Sequence, residues 1–179
     1  MTFVRLLESD ATLEQFQTNW SRQCEEIGED FENYATDSLI PILELARNPQ
    51  PESWAVSIQE DGRHTAAFIV HKALQKGFDA PVLRVRHIVV CPMLDQGVLS
   101  EETYADTLVA LLFEAIHLSV NTLPASYIKM HVRSPADLAY FRALVSALDR
   151  RRVFESTELK GAWLTLKKRP GEPWTGMVL

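Results

Sequence analysis

Alternating apolar and polar positions predict the strands of this chain. Residues 54–59 and 64–74 alternate and are joined by Asp61-Gly62, the strongest short signal for a β-hairpin. The run Val82–Val90 is rich in valine, and consecutive apolar residues near its end predict burial on both faces. Shorter strands are predicted at 2–8, 126–132, 153–159 and 162–168.

Apolar residues that recur every three or four positions predict the helices. The clearest stripe spans residues 101–120, and its first turn carries two glutamates. Another helix begins after Ser134, a good N-cap, with Pro135 at its first position. Earlier in the chain a helical region is interrupted or restarted at Pro41. The same spacing predicts a first helix near the N-terminus.

The elements follow the order β-α-α-β-β-β-α-β-α-β-β. Hairpins require antiparallel neighbours, whereas the strand-helix-strand passage through residues 101–120 implies a parallel pair. The predicted fold class is therefore α/β (α+β), with a mixed, mostly antiparallel central sheet flanked by helices. At 179 residues the chain is long enough for a real core, and we predict a single domain over residues 1–179.

The composition argues against several classes of partner. A net charge of -6 and a pI of about 5.4 disfavour nucleic acid, because phosphate binding requires a basic surface. No apolar run reaches the length of a membrane span and the N-terminus lacks a signal peptide, so we expect no membrane partner and a cytoplasmic protein. Cys24 and Cys91 lack a metal-like spacing and indicate a reducing compartment without disulfides.

Two segments carry a resemblance to a known family. In HIVVCPMLDQGV, residues 87–98, an apolar strand reaches a proline and then a loop with one glycine that leads into a helix. In YIKMHVRSPADLAYFRAL, residues 127–144, a strand leads into a helix with aromatic residues about two turns in. Together with the element order over nearly the whole chain, these segments resemble the GNAT N-acetyltransferase superfamily, of which we identify the chain as a divergent member.

The resemblance implies an acyl-CoA-dependent N-acyltransferase. Its co-substrate is acetyl-CoA or another acyl-CoA, and its acceptor is an amine on a small molecule or peptide. The resemblance assigns the pantetheine arm and the thioester carbonyl to the strand backbone at Val89, Val90 and Cys91. It assigns the pyrophosphate to N–H groups of the following loop and helix start, which are good anion ligands. These loop residues are Gln96, Gly97, Val98, Leu99 and Ser100.

The catalytic candidates are a base and an acid. His87 is the favoured base, because its strand borders the cleft that the resemblance predicts. The family's tyrosine aligns with Phe141, which cannot donate a proton. Tyr140 is the acid candidate that remains, although a helix turns about 100° per residue and aims it elsewhere. His71, His87 and His131 lie on neighbouring predicted strands and form either a cluster in the cleft or three scattered side chains; we predict no metal site.

The loop departs from the family pattern. Gly97 is its only glycine, and Asp95 lies about where the family has a basic or amide residue. Glu101 and Glu102 favour the helix start but repel an anionic ligand. The pyrophosphate loop is therefore degenerate, and the alternative function is a catalytically inactive GNAT-like binding or assembly module. A homodimer is left open, with Trp163 either in the core or at the dimer interface.

Two further candidates have plainer interpretations. Cys91 has no local base or positive charge to activate it, so a small core residue is the better interpretation. Glu114-x-x-His117 resembles half of a di-iron carboxylate pattern but lacks a second copy. We predict that this pair lies on a solvated helix face.

Overall fold

The computed structural model of this protein describes residues 1–35, 37–132 and 134–170. Its strands are β1 (Thr2–Arg5), β2 (Ser53–Glu60), β3 (Arg63–Ala73), β4 (Val82–Val90), β5 (Tyr127–His131), β6 (Ser156–Lys160) and β7 (Trp163–Lys167). Its helices are α1 (Thr12–Glu26), α2 (Phe31–Tyr34), α3 (Ile40–Arg47), α4 (Pro92–Asp95), α5 (Glu101–Asn121) and α6 (Pro135–Arg150). Residues 171–179, the end of the predicted domain, lie outside the described residues.

The seven strands have the order β1-β2-β3-β4-β5-β7-β6. Antiparallel pairs join β1 to β2, β5 to β7 and β6 to β7. Strands β4 and β5 are parallel, with Val82 opposite Tyr127 and Val85 opposite Met130, and the long connection through α5 is what a parallel pair requires. The predicted fold class, a mixed and mostly antiparallel sheet flanked by helices, is confirmed.

The chain divides into two compact units. The first comprises Met1–Val70 and Arg86–Leu112, and the second comprises His71–Val85 and Phe113–Leu179. Strands β3 and β4 and helix α5 therefore contribute residues to both units. A single domain over residues 1–179 stays a prediction.

Helices α1 and α3 supply much of the apolar core of the first unit. Phe16 and Trp20 lie about one turn apart on α1, and their ring centroids are 4.5 Å apart. Both side chains are fully buried, as are Ile42 of α3 and Leu6 after β1. The apolar stripe of the first predicted helix is therefore confirmed as a core face.

Strands β5 and β7 organise the second unit by the period of two that an extended chain imposes. Ile128 and Met130 of β5 and Leu164 and Leu166 of β7 are fully buried. The residues between them are half-buried. One face of this part of the sheet is therefore an apolar core, and the other is partly open.

A turn and two helix starts follow the predicted local chemistry. Asp61 and Gly62 have φ values of 48° and 76°, the two positive angles that a type I′ turn between β2 and β3 requires. Ser134 Oγ accepts a hydrogen bond from the N–H of Asp137 at 2.9 Å, so Ser134 is the N-cap of α6. Pro41 stands in the first turn of α3, which is the new start that the sequence predicted.

Helix α5 is long and apolar enough, by length and composition, to cross a membrane. It has 21 residues and a window of mean hydropathy 1.3, so the expectation that no segment reaches this length was wrong. Half of that window is buried within the protein. Leu108, Leu111 and Ile116 are among its buried residues, which is typical of a core helix.

A buried polar network ties α1 to the hairpin of β2 and β3. The indole N–H of Trp20 donates to the carbonyl O of His64 at 2.9 Å, and the backbone N–H of His64 donates to Asn19 Oδ1 at 3.0 Å. Ser57 Oγ donates its only proton to the carbonyl O of Ala66 at 2.9 Å. The His64 Nδ1–H therefore donates to Ser57 Oγ, 2.7 Å away. His64 is a neutral, buried ring in one tautomer.

The free energy of unfolding is expected to fall as the pH falls, in part because of His64. Burial lowers the pKa of His64 from 6.5 to about 4. Between these values protons bind preferentially to the unfolded chain, so stability is lost as the pH falls and the loss levels off below the lower value. Replacement His64→Asn keeps a donor near the Nδ1 position and is expected to flatten this dependence.

The matched control is His117→Asn, because the side chain of His117 is 64% exposed. Urea denaturation of the wild type and both variants across this pH range provides the measurement. We expect a smaller slope for His64→Asn than for the control. A slope that is the same in all three proteins would contradict a neutral, buried His64.

Candidate functional site

Strand β4 has an irregular backbone at His87. The φ of His87 is +53°, which is uncommon outside glycine and within a strand is typical of a β-bulge. Bulges re-aim the side chains that follow them and often lie beside functional sites. His87 itself is half-buried. The predicted base therefore stands at the most unusual backbone position of the central strand.

Two backbone groups at the end of β4 are already hydrogen-bonded. The hydroxyl of Tyr34 donates to the carbonyl O of Val90 at 2.9 Å, and the N–H of Cys91 donates to the carbonyl O of Thr65 at 2.8 Å. The carbonyl of Val90 is thus already engaged by Tyr34, and the single N–H of Cys91 is committed within the chain. The side chains of Val89 and Val90 pack against the core of the first unit.

Tyr34 is a residue at this site that the sequence analysis did not single out. Burial, and then the carboxylate of Asp95, raise the pKa of Tyr34, so its hydroxyl stays protonated. The hydrogen bond from this hydroxyl to Val90 joins α2 to the end of β4. The Asp30 N-cap of α2, which accepts from the N–H of Glu32 at 2.8 Å, is the one local signal of this helix. Nothing local in the sequence identifies Val90 as the partner of Tyr34.

Cys91 is a core residue, in agreement with the sequence interpretation. Its side chain is fully buried in the apolar cluster of the first unit. Burial raises the pKa of its thiol, which disfavours the thiolate that nucleophilic attack requires.

The loop after β4 contains a short helix, α4, where the sequence predicted irregular structure. The helix ends in a Schellman motif around Gly97, whose φ is 68°. The N–H of Val98 donates to the carbonyl O of Met93 at 2.9 Å, and the N–H of Gly97 donates to that of Leu94 at 3.1 Å. The only glycine of the loop is therefore explained by a helix C-terminus.

The N–H groups of this loop divide into bonded and open ones. The six from Leu94 to Leu99 all donate to carbonyl groups of the chain. Ser100 Oγ accepts from the N–H of Thr103 at 3.2 Å, the contact of an N-cap of α5. Among the residues that the structure describes, no acceptor meets the N–H groups of Ser100, Glu101 and Glu102. Of the described N–H groups from Leu94 to Glu102, these three are available to an external anion.

The charge around these open N–H groups is negative. Asp95, Glu101 and Glu102 are all exposed. Acids in a first turn stabilise a helix because they complement its positive end. The same carboxylates repel an anionic ligand there. The structure thus has acids that stabilise the helix start and disfavour a pyrophosphate, as the sequence predicted.

The remaining loop residues are mostly accessible. Gln96, Gly97, Val98 and Ser100 are exposed, and the side chain of Leu99 packs against the core of the first unit. The segment from His87 to Ser100 thus brings all but one of the predicted site residues together in a single continuous stretch of the first unit.

Replacing Gly97 by alanine is expected to lower the free energy of unfolding by about 1 kcal/mol. A Cβ at this position meets no heavy atom within 4 Å, so the cost comes from the left-handed backbone alone. Gly97→Asn is the control, because asparagine tolerates this conformation better and is expected to lose less. Urea denaturation checks both variants. An alanine variant as stable as the wild type would contradict the helix-capping role.

Tyr140, the predicted acid, belongs to the second unit. It lies on α6 next to Phe141, with ring centroids 5.8 Å apart. Phe141 is 1% exposed and Tyr140 is half-buried. The two neighbours on the helix thus have different surroundings, as their angular separation requires.

The other histidine and carboxylate candidates lie in both units. His71 and His131 belong to the second unit and His87 to the first. Among the described residues, no group of three His, Cys, Asp or Glu side chains is placed to hold a metal ion. Glu114 is only 6% exposed and burial raises the pKa of its carboxyl to about 7, so its prediction as a solvated residue was wrong. His117, 3.6 Å from Glu114, is exposed as predicted.

No protein-family model and no curated protein matches the sequence. Among solved structures, the chain is similar to the N-acetyltransferase PseH of Campylobacter jejuni, with 9% identity, a TM-score of 0.49 and coverage of 95% of this chain and 98% of that one. It is similar to the GNAT domain of S. lividans PAT, with 12% identity, a TM-score of 0.48 and coverage of 92% and 87%. It is also similar to the spermidine N-acetyltransferase SpeG of Vibrio cholerae, with 13% identity, a TM-score of 0.45 and coverage of 94% of both chains.

At such low identity these likenesses carry no argument about activity or about individual residues. The strand order of the chain, its parallel pair β4 and β5 and the helix between them stand on the chain's own structure. By that element order and strand pairing, the chain has the fold that the sequence predicted for a divergent member of the GNAT superfamily.

Proposed function

We propose that this protein is an acyl-CoA-dependent N-acyltransferase that transfers an acyl group, in the simplest case acetyl, to an amine of a small molecule or peptide. The observation that carries the proposal is the segment from β4 to α5. A strand with an irregular backbone at His87 leads to a helix start whose N–H groups at Ser100, Glu101 and Glu102 meet no acceptor among the described residues. Such a segment offers backbone groups to a thioester arm and amide donors to a phosphate.

The proposed reaction is direct attack of the neutral amine on the thioester carbonyl. The new C–N bond forms as the C–S bond breaks, the amine proton passes to a base and the thiolate takes up a proton. His87 is the proposed base. Backbone groups of Val89 and Val90 polarise the thioester carbonyl and hold the pantetheine arm. Tyr140 remains the proposed acid, and water is an adequate substitute because a thiolate is a fair leaving group.

The pyrophosphate is proposed to bind at the start of α5. Because the N–H groups of Leu94 to Leu99 are used within the chain, the donors that remain are those of Ser100, Glu101 and Glu102. The exposed amide side chain of Gln96 adds a further donor. The neighbouring carboxylates lower the affinity of this site for a pyrophosphate below that of a glycine-rich loop. For this reason we call the loop degenerate.

The second candidate function is a GNAT-like binding or assembly module without catalysis, with a homodimer among its forms. The observation that favours it is the full use of the six loop N–H groups by the chain itself. Phe141, which stands where the family has a proton donor, also favours a module without catalysis. In either case Cys24 and Cys91 are buried free thiols, which suits our proposal of a cytoplasmic protein.

Titration calorimetry of acetyl-CoA into the protein tests the two candidates. We expect micromolar binding that weakens when the salt concentration is raised, because the ligand is an anion. Desulfo-CoA is expected to bind similarly, since the phosphate contacts do not require the sulfur. Absence of binding at millimolar acetyl-CoA would overturn the acyltransferase proposal and leave the binding module.

A further inference from the structure

A cleft of about 700 Å³ lies in the second unit. Its walls come from the segment before β4, the last turn of α5, the start of β5 and the residues on either side of the hairpin of β6 and β7. Its volume falls within the range of small-molecule binding sites. The polar groups that line it include Asp79, Ser119, Ser126, Glu155, Lys168 and Arg169.

Both the backbone N–H and the side-chain ammonium of Lys168 form hydrogen bonds in this cleft. Its backbone N–H donates to the carbonyl O of Ser126 at 2.9 Å, and its Nζ donates to the carbonyl O of Ser119 at 2.7 Å. Ser119 belongs to the last turn of α5, and its carbonyl O also accepts from the N–H of Ala125 at 3.0 Å. Carbonyl groups at this end of a helix carry partial negative charge. The ammonium is therefore fixed in place by neutral groups, with two of its three donors left over.

The cations of the cleft differ in how they are neutralised. Lys167 forms an ion pair with Glu155 at 2.7 Å, and Asp79 accepts a hydrogen bond from the hydroxyl of Tyr127 at 2.7 Å. Within the described part of the chain, neither the ammonium of Lys168 nor the guanidinium of Arg169 forms an ion pair. Burial lowers the pKa of Lys168, because no carboxylate offsets the cost of desolvating its charge.

We propose that this cleft binds a small molecule through an oxyanion, a carboxylate or phosphate group that lies against the Lys168 ammonium and the Arg169 guanidinium. Arg169 donates from Nε to the carbonyl O of Phe154 at 3.3 Å, so its terminal N–H groups remain for a planar or tetrahedral anion. Such an anion supplies the countercharge that the half-buried ammonium lacks. Asp79 and Glu155 limit the total negative charge that the cleft accepts, which favours a small anion over a polyanion.

The proposal is independent of acyl transfer, because none of these residues belongs to the segment from His87 to Ser100. Inorganic phosphate and succinate serve as probes of the two anion types, titrated by calorimetry at constant ionic strength set with chloride. Lys168→Met keeps the apolar stem of the side chain and removes the charge. Lys160→Met is the matched control, since Lys160 is exposed at the end of β6 and does not line the cleft.

We expect the wild type and Lys160→Met to bind the same probe equally, within about a factor of two, and Lys168→Met to bind it at least about tenfold more weakly, since a hydrogen bond to a charged group contributes about that much. Should Lys168→Met fail to fold, Arg169→Gln takes its place and is expected to show the same weakening. Neither probe binding the wild type, or equal binding by the cleft variant and the control, would overturn the proposal. Which probe binds distinguishes a carboxylate from a phosphate ligand.

Discussion

Replacing Trp20 by alanine is expected to lower the free energy of unfolding by about 3–5 kcal/mol, the cost of a large cavity in a packed core. Trp20 is fully buried, packs against Phe16 and lies edge-on to Tyr34 with 6.0 Å between ring centroids. Its indole N–H donates to the carbonyl O of His64 in the buried network of α1 and the hairpin. The substitution removes apolar contacts and also leaves that network short of a donor.

The matched control is Trp54→Ala. Trp54 is the same residue type in the same unit, but it is only half-buried and its ring lies under the guanidinium of Arg5 at 4.1 Å. We expect this variant to lose about 1 kcal/mol from the cation–π contact and partial burial. Urea denaturation followed by circular dichroism measures both. Equal losses in the two variants would contradict the assignment of Trp20 to the centre of the core.

Removing the acidic charges at the start of α5 is expected to strengthen acetyl-CoA binding about threefold to thirtyfold. Glu101 and Glu102 are exposed in the first turn, beside the three N–H groups proposed to bind the pyrophosphate. Charges at a helix terminus interact by about 0.3–1 kcal/mol each, so the double variant Glu101→Gln/Glu102→Gln gains both contributions. Calorimetry at low salt checks this, and the gain is expected to shrink as salt screens the charges.

The control is Glu25→Gln/Glu26→Gln, an adjacent and exposed pair at the end of α1 that changes the net charge by the same amount. Its affinity for acetyl-CoA is expected to match the wild type. If both double variants gain equally, net charge alone is responsible and the proposed location of the pyrophosphate is wrong. If the wild type binds acetyl-CoA but neither variant differs from it, the ligand sits elsewhere.

Local signals account for the elements that were predicted well. The hairpin of β2 and β3 depends on Asp61-Gly62, and α6 depends on Ser134 followed by Pro135; both are chemistry within a few residues. Helix α4 was missed for the opposite reason. A single turn is too short to display a helical stripe, and its boundary residues Pro92 and Gly97 are equally common in loops.

Errors about the site arise where a residue's surroundings come from distant parts of the chain. Glu114 was predicted to lie on a solvated face because its pattern with His117 lacks a second copy. It stands instead three residues after Leu111 and four before Leu118 on the apolar side of α5. Tyr34 and Val90 are 56 positions apart and meet through one hydrogen bond. No periodicity in either segment predicts that contact.

Apart from the single turn of α4, the sequence by itself determined the order and type of the elements, and it determined the caps of α6 and the β2–β3 turn. These features follow from backbone preferences and side-chain spacing over a few residues. The sequence also determined the acidic charge at the start of α5. Only the tertiary structure decided which loop N–H groups remain open, that His64 is a neutral buried ring, and that Lys168 lies in a cleft and forms no ion pair with the described residues. Those properties depend on hydrogen-bond partners and burial supplied by non-local segments, and the local sequence carries no record of them.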